Sequence, residues 1–465
     1  MKKQFQYLIC FGILNFILFT GVFKLLQNEK VYINTLGLIS QNYERIGDWN
    51  NFEIKKTSKP FVQITTENFE TWDAAIYKCI SESMYSRESH CYENIRAAFF
   101  PLFPLLWKIT HSSCLGISIL NYLIFIISIA ILVLVLLNTT LLNKIIAFTI
   151  LISLPSSINY YIPYSESLFL FTMTIATLGI FKKKYWMFFI GCFLLAMVRP
   201  ATIFVLFAIL FAELIIFMRN KEWRSFIKEV TFKSLPFILG YCFTIFIQYL
   251  YSGSWTALFD ARKYWKPTVS FTHFSDWSVE GFGLSIFVIF FLCIPAIVFI
   301  LSLLFSNRKP VIKNYLENLS NYKSEYLLIV SILYLIGMFI FSLSTQGLDF
   351  HSFPRYILAS PLFYIAILIL LNNLGNKSCR LFNIIYFILT VSIILFLSNV
   401  EYGGSKIQFS FFGLYLFILT GAYLIIKKVI SHPLQIFFAI ILILLNTIWN
   451  AYLLNAFFSN AWIFT

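Results

Sequence analysis

Stretch after stretch of this chain runs for nearly twenty residues with hardly a charge. ISILNYLIFIISIAILVLVLL (117–137) is the plainest case. A segment that apolar has no water to satisfy its backbone once it leaves the aqueous phase. Only an α-helix or a closed β-barrel then pairs every N–H and C=O. The runs are continuous rather than alternating, which selects helices over a barrel. The composition agrees: 59% of residues are hydrophobic and 12% are charged, against about 25% charged in soluble proteins.

The expected fold is therefore an all-α integral membrane bundle of about 11–13 transmembrane helices in a single polytopic domain. The basic MKKQFQ start precedes an apolar run to Leu26. It is read as an uncleaved first span with a cytoplasmic N-terminus. Further spans are expected near 115–137, 142–158, 164–181, 185–198, 201–218, 234–251, 281–305, 325–344, 356–372, 381–398, 407–426 and 434–453. Residues 27–114 form a long first extracytoplasmic loop. Residues 115–372 hold the core spans and outer loops of the site, and 373–465 the C-terminal transmembrane helices. Within the first loop, AAFFPLFPLLWKIT (97–110) is short and carries two prolines, so it is expected to be a re-entrant or interfacial helix.

The formal charge of +14 does not indicate nucleic acid. The basic residues sit in short clusters between spans: Lys144, Lys182–Lys184, 219–229, Arg308–Lys309, Lys377 with Arg380, and Lys427–Lys428. Nearly every compact basic cluster thus falls on the cytoplasmic side of the proposed topology, as charge-directed insertion produces. Membrane lipids, anionic ones included, are natural neighbours. The bias toward Phe, Ile, Asn and Lys points to a bacterial inner membrane.

The opposite face collects the chemistry. WDAAIYKCISESMYSRESHCYENIRAAFFPLFP (72–104) is the richest stretch. Asp73, beside Trp72, suits a general base that takes a proton from a sugar hydroxyl; the plainer reading is an interfacial Trp next to a solvated carboxylate. Glu82, Arg87, Glu88 and His90 read as a solvated loop helix. Glu93 and Arg96, three residues apart, suit a pair on one helix face next to the aromatic-proline run. A divalent metal site could be drawn from Asp73, His90 and Glu93, but no compact ligand spacing supports it, so no cofactor is assigned. Cys79 and Cys91 form either a disulfide, if the loop faces an oxidising compartment, or two free thiols.

Glu166 opens a span, where a carboxylate complements the helix dipole or orients a substrate hydroxyl or a cation. Arg199 lies in an Arg-Pro break and suits a lipid-linked phosphate or a pair with Glu166. Residues 253–267 gather Asp260, Arg262, Lys263 and Lys266 among Trp255, Tyr264 and Trp265, and the later HSFPRY (351–356) places Arg355 beside Tyr356, near Asp349 and His351. Cations beside aromatic rings suit sugars and phosphates, and they also suit a membrane interface.

WDAAIY (72–77), ISESMY (80–85) and AAFFPLFPLL (97–106) together resemble the GPI mannosyltransferase II-like family and its bacterial relatives. That family carries a Trp-Asp-x-x-Trp/Tyr motif, a Glu-x-Gly-Tyr element and a Phe-Phe-Pro-Leu-Phe/Tyr-Pro run. PYSESLFLF (163–171) is similar to its Tyr-Ser-Glu element, MVRPATIF (197–204) to its later Arg, SGSWTALFDARKYW (252–265) to its outer loop, and FPRYILASP (353–361) to its late Arg-Tyr segment. Met84 stands where the family has Gly, and Ile76 where an aromatic is common.

The resemblance implies a GT-C-type polytopic glycosyltransferase with an outward active site and a polyprenyl-phosphate sugar donor. It implies inversion at the anomeric carbon, with Asp73 as the catalytic carboxylate. Trp72, Tyr77, Glu93, Arg96, Tyr164 and Glu166 would shape the substrate site. Arg199, Lys266, His351, Arg355 and Tyr356 would complete it, the cations holding phosphate. The acceptor would be a glycan, lipid or protein hydroxyl, and the wall behind AAFFPLFP would admit the lipid tail. The competing reading is a transporter or flippase for a lipid-linked glycan, which calls for polar residues on both faces and at the midplane. A structural scaffold leaves the one-sided clustering unexplained.

Overall fold

The computed structural model describes residues 2–34, 42–48, 51–57, 61–264, 322–345, 353–373 and 432–458, except positions 87, 90, 93, 94, 153 and 154. The expected spans 281–305, 381–398 and 407–426 lie outside the described residues, as do Glu93, Lys266 and His351.

The described apolar segments are helical. Among the described residues, four helices are long and apolar enough to cross a membrane: Lys2–Leu26, Cys114–Leu136, Trp223–Ser252 and the stretch Lys323–Phe341. By length and composition this is a membrane protein.

Helix α1 (Lys2–Leu26) leads into the short α2 (Glu29–Asn34). A two-stranded antiparallel hairpin follows, β1 (Asn42–Asp48) and β2 (Asn51–Thr57), closing on the pair Asp48↔Asn51. An all-α reading did not include it. NYERIGD and NFEIKKT lack the apolar stripe of 3.6-residue period that would hold a loop helix against a core.

The rest of the first loop carries α3 (Asp73–Ser83) and α4 (Leu102–Thr110). Pro101 caps α4 and Pro104 falls in its first turn, where a missing N–H is not needed. The helix stops at His111, which turns left-handed at φ 48°. At nine residues, or about 14 Å, α4 is too short to cross a bilayer core.

The bundle continues with α5 (Cys114–Leu136), whose N-cap Ser113 accepts from the Gly116 N–H. Then come α6 (Leu141–Ile152), a 3₁₀ turn at Pro155–Tyr160, α7 (Glu166–Lys182) and α8 (Tyr185–Leu195). After them lie α9 (Thr202–Asn220), α10 (Trp223–Ser252) and α11 (Ala257–Tyr264). The remaining described helices are α12 (Tyr322–Thr345), α13 (Phe353–Leu358), α14 (Pro361–Asn373) and α15 (His432–Phe458).

Two expected spans are shorter than the sequence pattern implied. The 142–158 segment is a 12-residue helix followed by the 3₁₀ turn, because Pro155 cannot continue a helix and disfavours helical geometry just before it. The 185–198 segment is helical for 11 residues, about 16 Å, before the chain breaks ahead of Pro200. Conversely, α10 starts at Trp223 and absorbs most of the basic 219–229 stretch that was expected to be a loop.

Helices α7 and α8 form a tight antiparallel pair. A Cβ built on Gly191 would lie 2.5 Å from the Ala176 N, so only glycine permits this backbone approach, the small-residue contact common between membrane helices. The antiparallel order brings the start of α7, the end of α8 and the start of α9 to the same end of the bundle.

Candidate active site

Four charged side chains, from three helices and one interhelical break, meet at that end. Asp73 is the first residue of α3, Glu166 the first of α7, Arg199 lies in the break between α8 and α9, and Arg355 sits on α13. Arg355 donates from Nη1 to Asp73 Oδ2 at 2.8 Å and from Nε to Glu166 Oε1 at 2.5 Å. Arg199 Nη1 donates to the same Glu166 oxygen at 2.7 Å. Two guanidinium groups and two carboxylates make the group formally neutral, which is how buried charge is tolerated.

Exposure is unequal. The Glu166 side chain is wholly buried and that of Arg355 is 5% exposed, whereas Asp73 is 30% exposed. Asp73 is therefore the member a substrate reaches first. Its Oδ1, the Arg355 Nη2, and the Arg199 Nε and Nη2 have no side-chain partner among the described residues. Two rings complete the group: Tyr164 lies 4.3 Å from the Arg355 guanidinium and Tyr356 lies 5.9 Å from that of Arg199.

Local structure explains the positions. Tyr77 is one turn beyond Asp73 on the same face of α3, and its hydroxyl donates to Ser165 Oγ at 2.9 Å. Its ring meets Phe99 and Phe103 edge-on, at 5.1 and 4.9 Å. Burial pushes the Tyr77 phenol well above its ordinary range, so it stays a donor. The Tyr164–Glu166 turn is held from α5, where Asn121 donates to the carbonyls of Ile162 and Tyr164 at 2.7 and 2.8 Å. The Tyr160 hydroxyl ties the 3₁₀ turn to α13 through the Ala359 carbonyl at 2.7 Å. The Arg199 carbonyl accepts from Thr202 Oγ1 at 2.7 Å, and the start of α4 hangs on the Met197 carbonyl through the Leu102 N–H at 3.1 Å.

Backbone strain flanks α3. Trp72 has φ 52° and ψ −132°, and Met84, at the other end, φ 53° and ψ −133°. Large L-residues rarely take this conformation, and it costs of order 1–3 kcal/mol per residue. At Trp72 it sets the entry of α3 and hence the placement of Asp73.

Of the residues expected from sequence, Asp73, Glu166, Arg199 and Arg355 converge. Tyr77, Tyr164 and Tyr356 pack against them, and Trp72 adjoins them in the chain. Arg96 does not join the group. Its guanidinium donates to the carbonyls of Ser86 at 2.6 Å and Ser89 at 2.5 Å, so it folds the loop instead of facing a substrate. Glu93, its expected partner, lies outside the described residues, as do Lys266 and His351. Asp260 accepts from Thr256 and Lys263 inside its own exposed turn.

In the aromatic-proline run Phe100 and Phe103 are fully buried, and Phe99 and Phe103 pack against the Tyr77 ring. No three His, Cys, Asp or Glu side chains among the described residues are placed to hold a metal. Cys79 and Cys91 are joined as a disulfide with a Cα–Cα distance of 6.3 Å, within the usual range.

Several contributors escaped the sequence reading. Asn121 and Gln248 are lone amides in apolar runs, and Gln248 Nε2 holds the Ala97 carbonyl at 2.8 Å. Their rarity in membrane segments was the available signal. Ser165 carried no such signal. No family model matches this chain, nor does any curated protein or solved structure.

Proposed function

We propose that this chain is a multi-pass, inverting glycosyltransferase of the GT-C type. It would move a mannose-like sugar from a polyprenyl-phosphate donor to an acceptor hydroxyl on the extracytoplasmic face of a bacterial inner membrane. The observation that carries this reading is Arg355, which binds the partly exposed Asp73 on one side and the buried Glu166, shared with Arg199, on the other.

The chemistry follows from that arrangement. Asp73 takes the acceptor hydroxyl proton through its unengaged Oδ1. The acceptor oxygen attacks the anomeric carbon from the side opposite the phosphate, and the bond from that carbon to the phosphate oxygen breaks. Charge gathering on the departing polyprenyl phosphate meets the remaining N–H groups of Arg199 and Arg355, donors fixed in advance by Glu166. Glu166 thus acts on the cations and not on the sugar. The resemblance of the Trp72–Tyr77 and Tyr164–Glu166 segments to the GPI mannosyltransferase II-like family points the same way.

The test is a transfer assay with purified protein, polyprenyl-phosphate-mannose and a panel of acceptors, run beside Asp73→Asn. Loss of a proton-accepting group is expected to slow transfer by about 10²–10⁴-fold. Equal rates would remove Asp73 as the base. Absence of transfer from every prenyl donor, with movement of labelled glycolipid across vesicles, would replace this reading by the transport one.

A further inference from the structure

The segment after α3 turns back and is fastened to itself more heavily than a solvated loop needs to be. Cys79, six residues after Asp73 on α3, is bonded to Cys91. Arg96, 5% exposed, gathers the carbonyls of Ser86 and Ser89 that lie inside the ring closed by that bond. The Tyr85 hydroxyl donates to the Phe99 carbonyl at 2.7 Å, fixing the ring to the base of α4. Met84 is buried among Ile80, Tyr85, Ala97 and Met197 despite its strained backbone. Midway along the helix Lys78 pairs with Glu70, which lies just ahead of it in the chain. The disulfide and the Lys78 pair act on α3, the helix that presents Asp73 and Tyr77, while Arg96 and Tyr85 hold the loop that follows it.

We infer that Cys79 and Cys91 are a modification site: a disulfide installed after translocation, which locks the 79–96 segment around Arg96 and so holds α3 in place. Each thiol gives up its proton. The pair passes two electrons to the disulfide of a thiol–disulfide oxidase, whose S–S bond breaks to a dithiol as the Cys79–Cys91 bond forms. Such a bond persists only on an oxidising face of the membrane. The pairing thus assigns a compartment to the segment without recourse to loop charges. A guanidinium among carbonyls adds a second constraint: it keeps the turn compact enough for Cys91 to reach Cys79.

The pairing and its compartment are tested without any substrate, so their outcome is separate from that of glycosyl transfer. Full-length protein is alkylated with iodoacetamide before reduction, then digested and mapped by mass spectrometry. A linked Cys79–Cys91 peptide is expected; both cysteines carbamidomethylated without a reductant would overturn the bond. Intact cells expressing Cys79→Ser are treated with a membrane-impermeant maleimide, read on the Cys91 peptide. Labelling without permeabilisation is expected, and labelling only after permeabilisation would overturn the oxidising face. The holding role is read by hydrogen exchange over 73–83 in the Cys79→Ser/Cys91→Ser double variant. Faster exchange than in the parent is expected, and an unchanged rate would reduce the bond to a bystander.

Discussion

Helix α9 has a charge cluster at each end, and they are built differently. At its start Arg199 joins Glu166, Arg355 and Asp73, residues up to 282 positions apart in sequence. Toward its other end Glu213, 3% exposed, accepts from Lys233 at 2.5 Å. Lys233 also pairs with Glu229 one turn away, at 3.1 Å, and sits 4.2 Å from the Tyr326 ring. The second cluster joins neighbouring helices, and its single ammonium is surrounded by partners. The first draws on three helices and the break before α9, keeps guanidinium N–H groups without a side-chain partner among the described residues, and leaves one carboxylate partly open. Burial of charge alone therefore does not mark a site. Unused donors and one accessible member do, and only the Asp73 end has both. The Glu213 pair is a polar feature away from the Asp73 end, of the kind a transporter calls for, but its charges are turned on each other.

The comparison breaks if the two clusters respond alike. The largest effect is expected for Glu166→Gln. It leaves two buried guanidinium groups against one partly exposed carboxylate, and removing one side of a buried ion pair costs about 3–5 kcal/mol. Thermal denaturation in detergent should show it, with transfer lost as well. A variant that melts like the parent would mean that Glu166 does not organise the arginines.

Lys233→Leu comes next. It strands the Glu213 carboxylate, at about 1–3 kcal/mol by the same measurement. The double variant Glu213→Leu/Lys233→Leu should recover most of that loss, since a buried pair is often replaceable by apolar side chains, and should keep transfer. Loss of transfer in a stably folded double variant would make the Glu213–Lys233 pair part of the function and erase the distinction.

The legibility of these clusters in sequence was uneven, for physical reasons. Continuous apolar runs announced helices because lipid leaves the backbone no alternative, so α5 and α12 fell where expected. A run broken by proline misled at Pro155, which ends a helix inside the stretch 142–158 that hydropathy joins, whereas the break at Arg199–Pro200 was legible. Asp73, Glu166, Arg199 and Arg355 stood out because each is a charge beside an apolar segment, where charge is costly. Their mutual distances were not readable, since nothing local says that α13 returns to α3. Arg96 looked the same in sequence as Arg355. Only the surroundings separate them, carbonyls around one and carboxylates around the other. Glu213 was as anomalous as Glu166 but stood alone in an apolar run, and its partner came from α10 residues expected to be loop.

The backbone repeats the contrast between the two ends, and the smallest predicted effect sharpens it. At the end away from Asp73, Lys183 and Lys221 close α7 and α9 with φ 54°, ψ 37° and φ 56°, ψ 27°. These are ordinary left-handed caps. Trp72 and Met84, around α3, lie with ψ near −130°, a region that suits glycine far better than any side chain. Met84 stands where the resembled family has Gly, and it is fully buried. Met84→Ala should lose the packed side chain and keep the strain, costing about 2–5 kcal/mol. Met84→Gly loses the same side chain but releases about 1–3 kcal/mol of strain. The glycine variant should therefore melt above the alanine variant, reversing the usual order in which Gly is the more costly residue through backbone entropy. If alanine proves the more stable, α3 is not held under strain, and the site end differs from the far end in its charges alone.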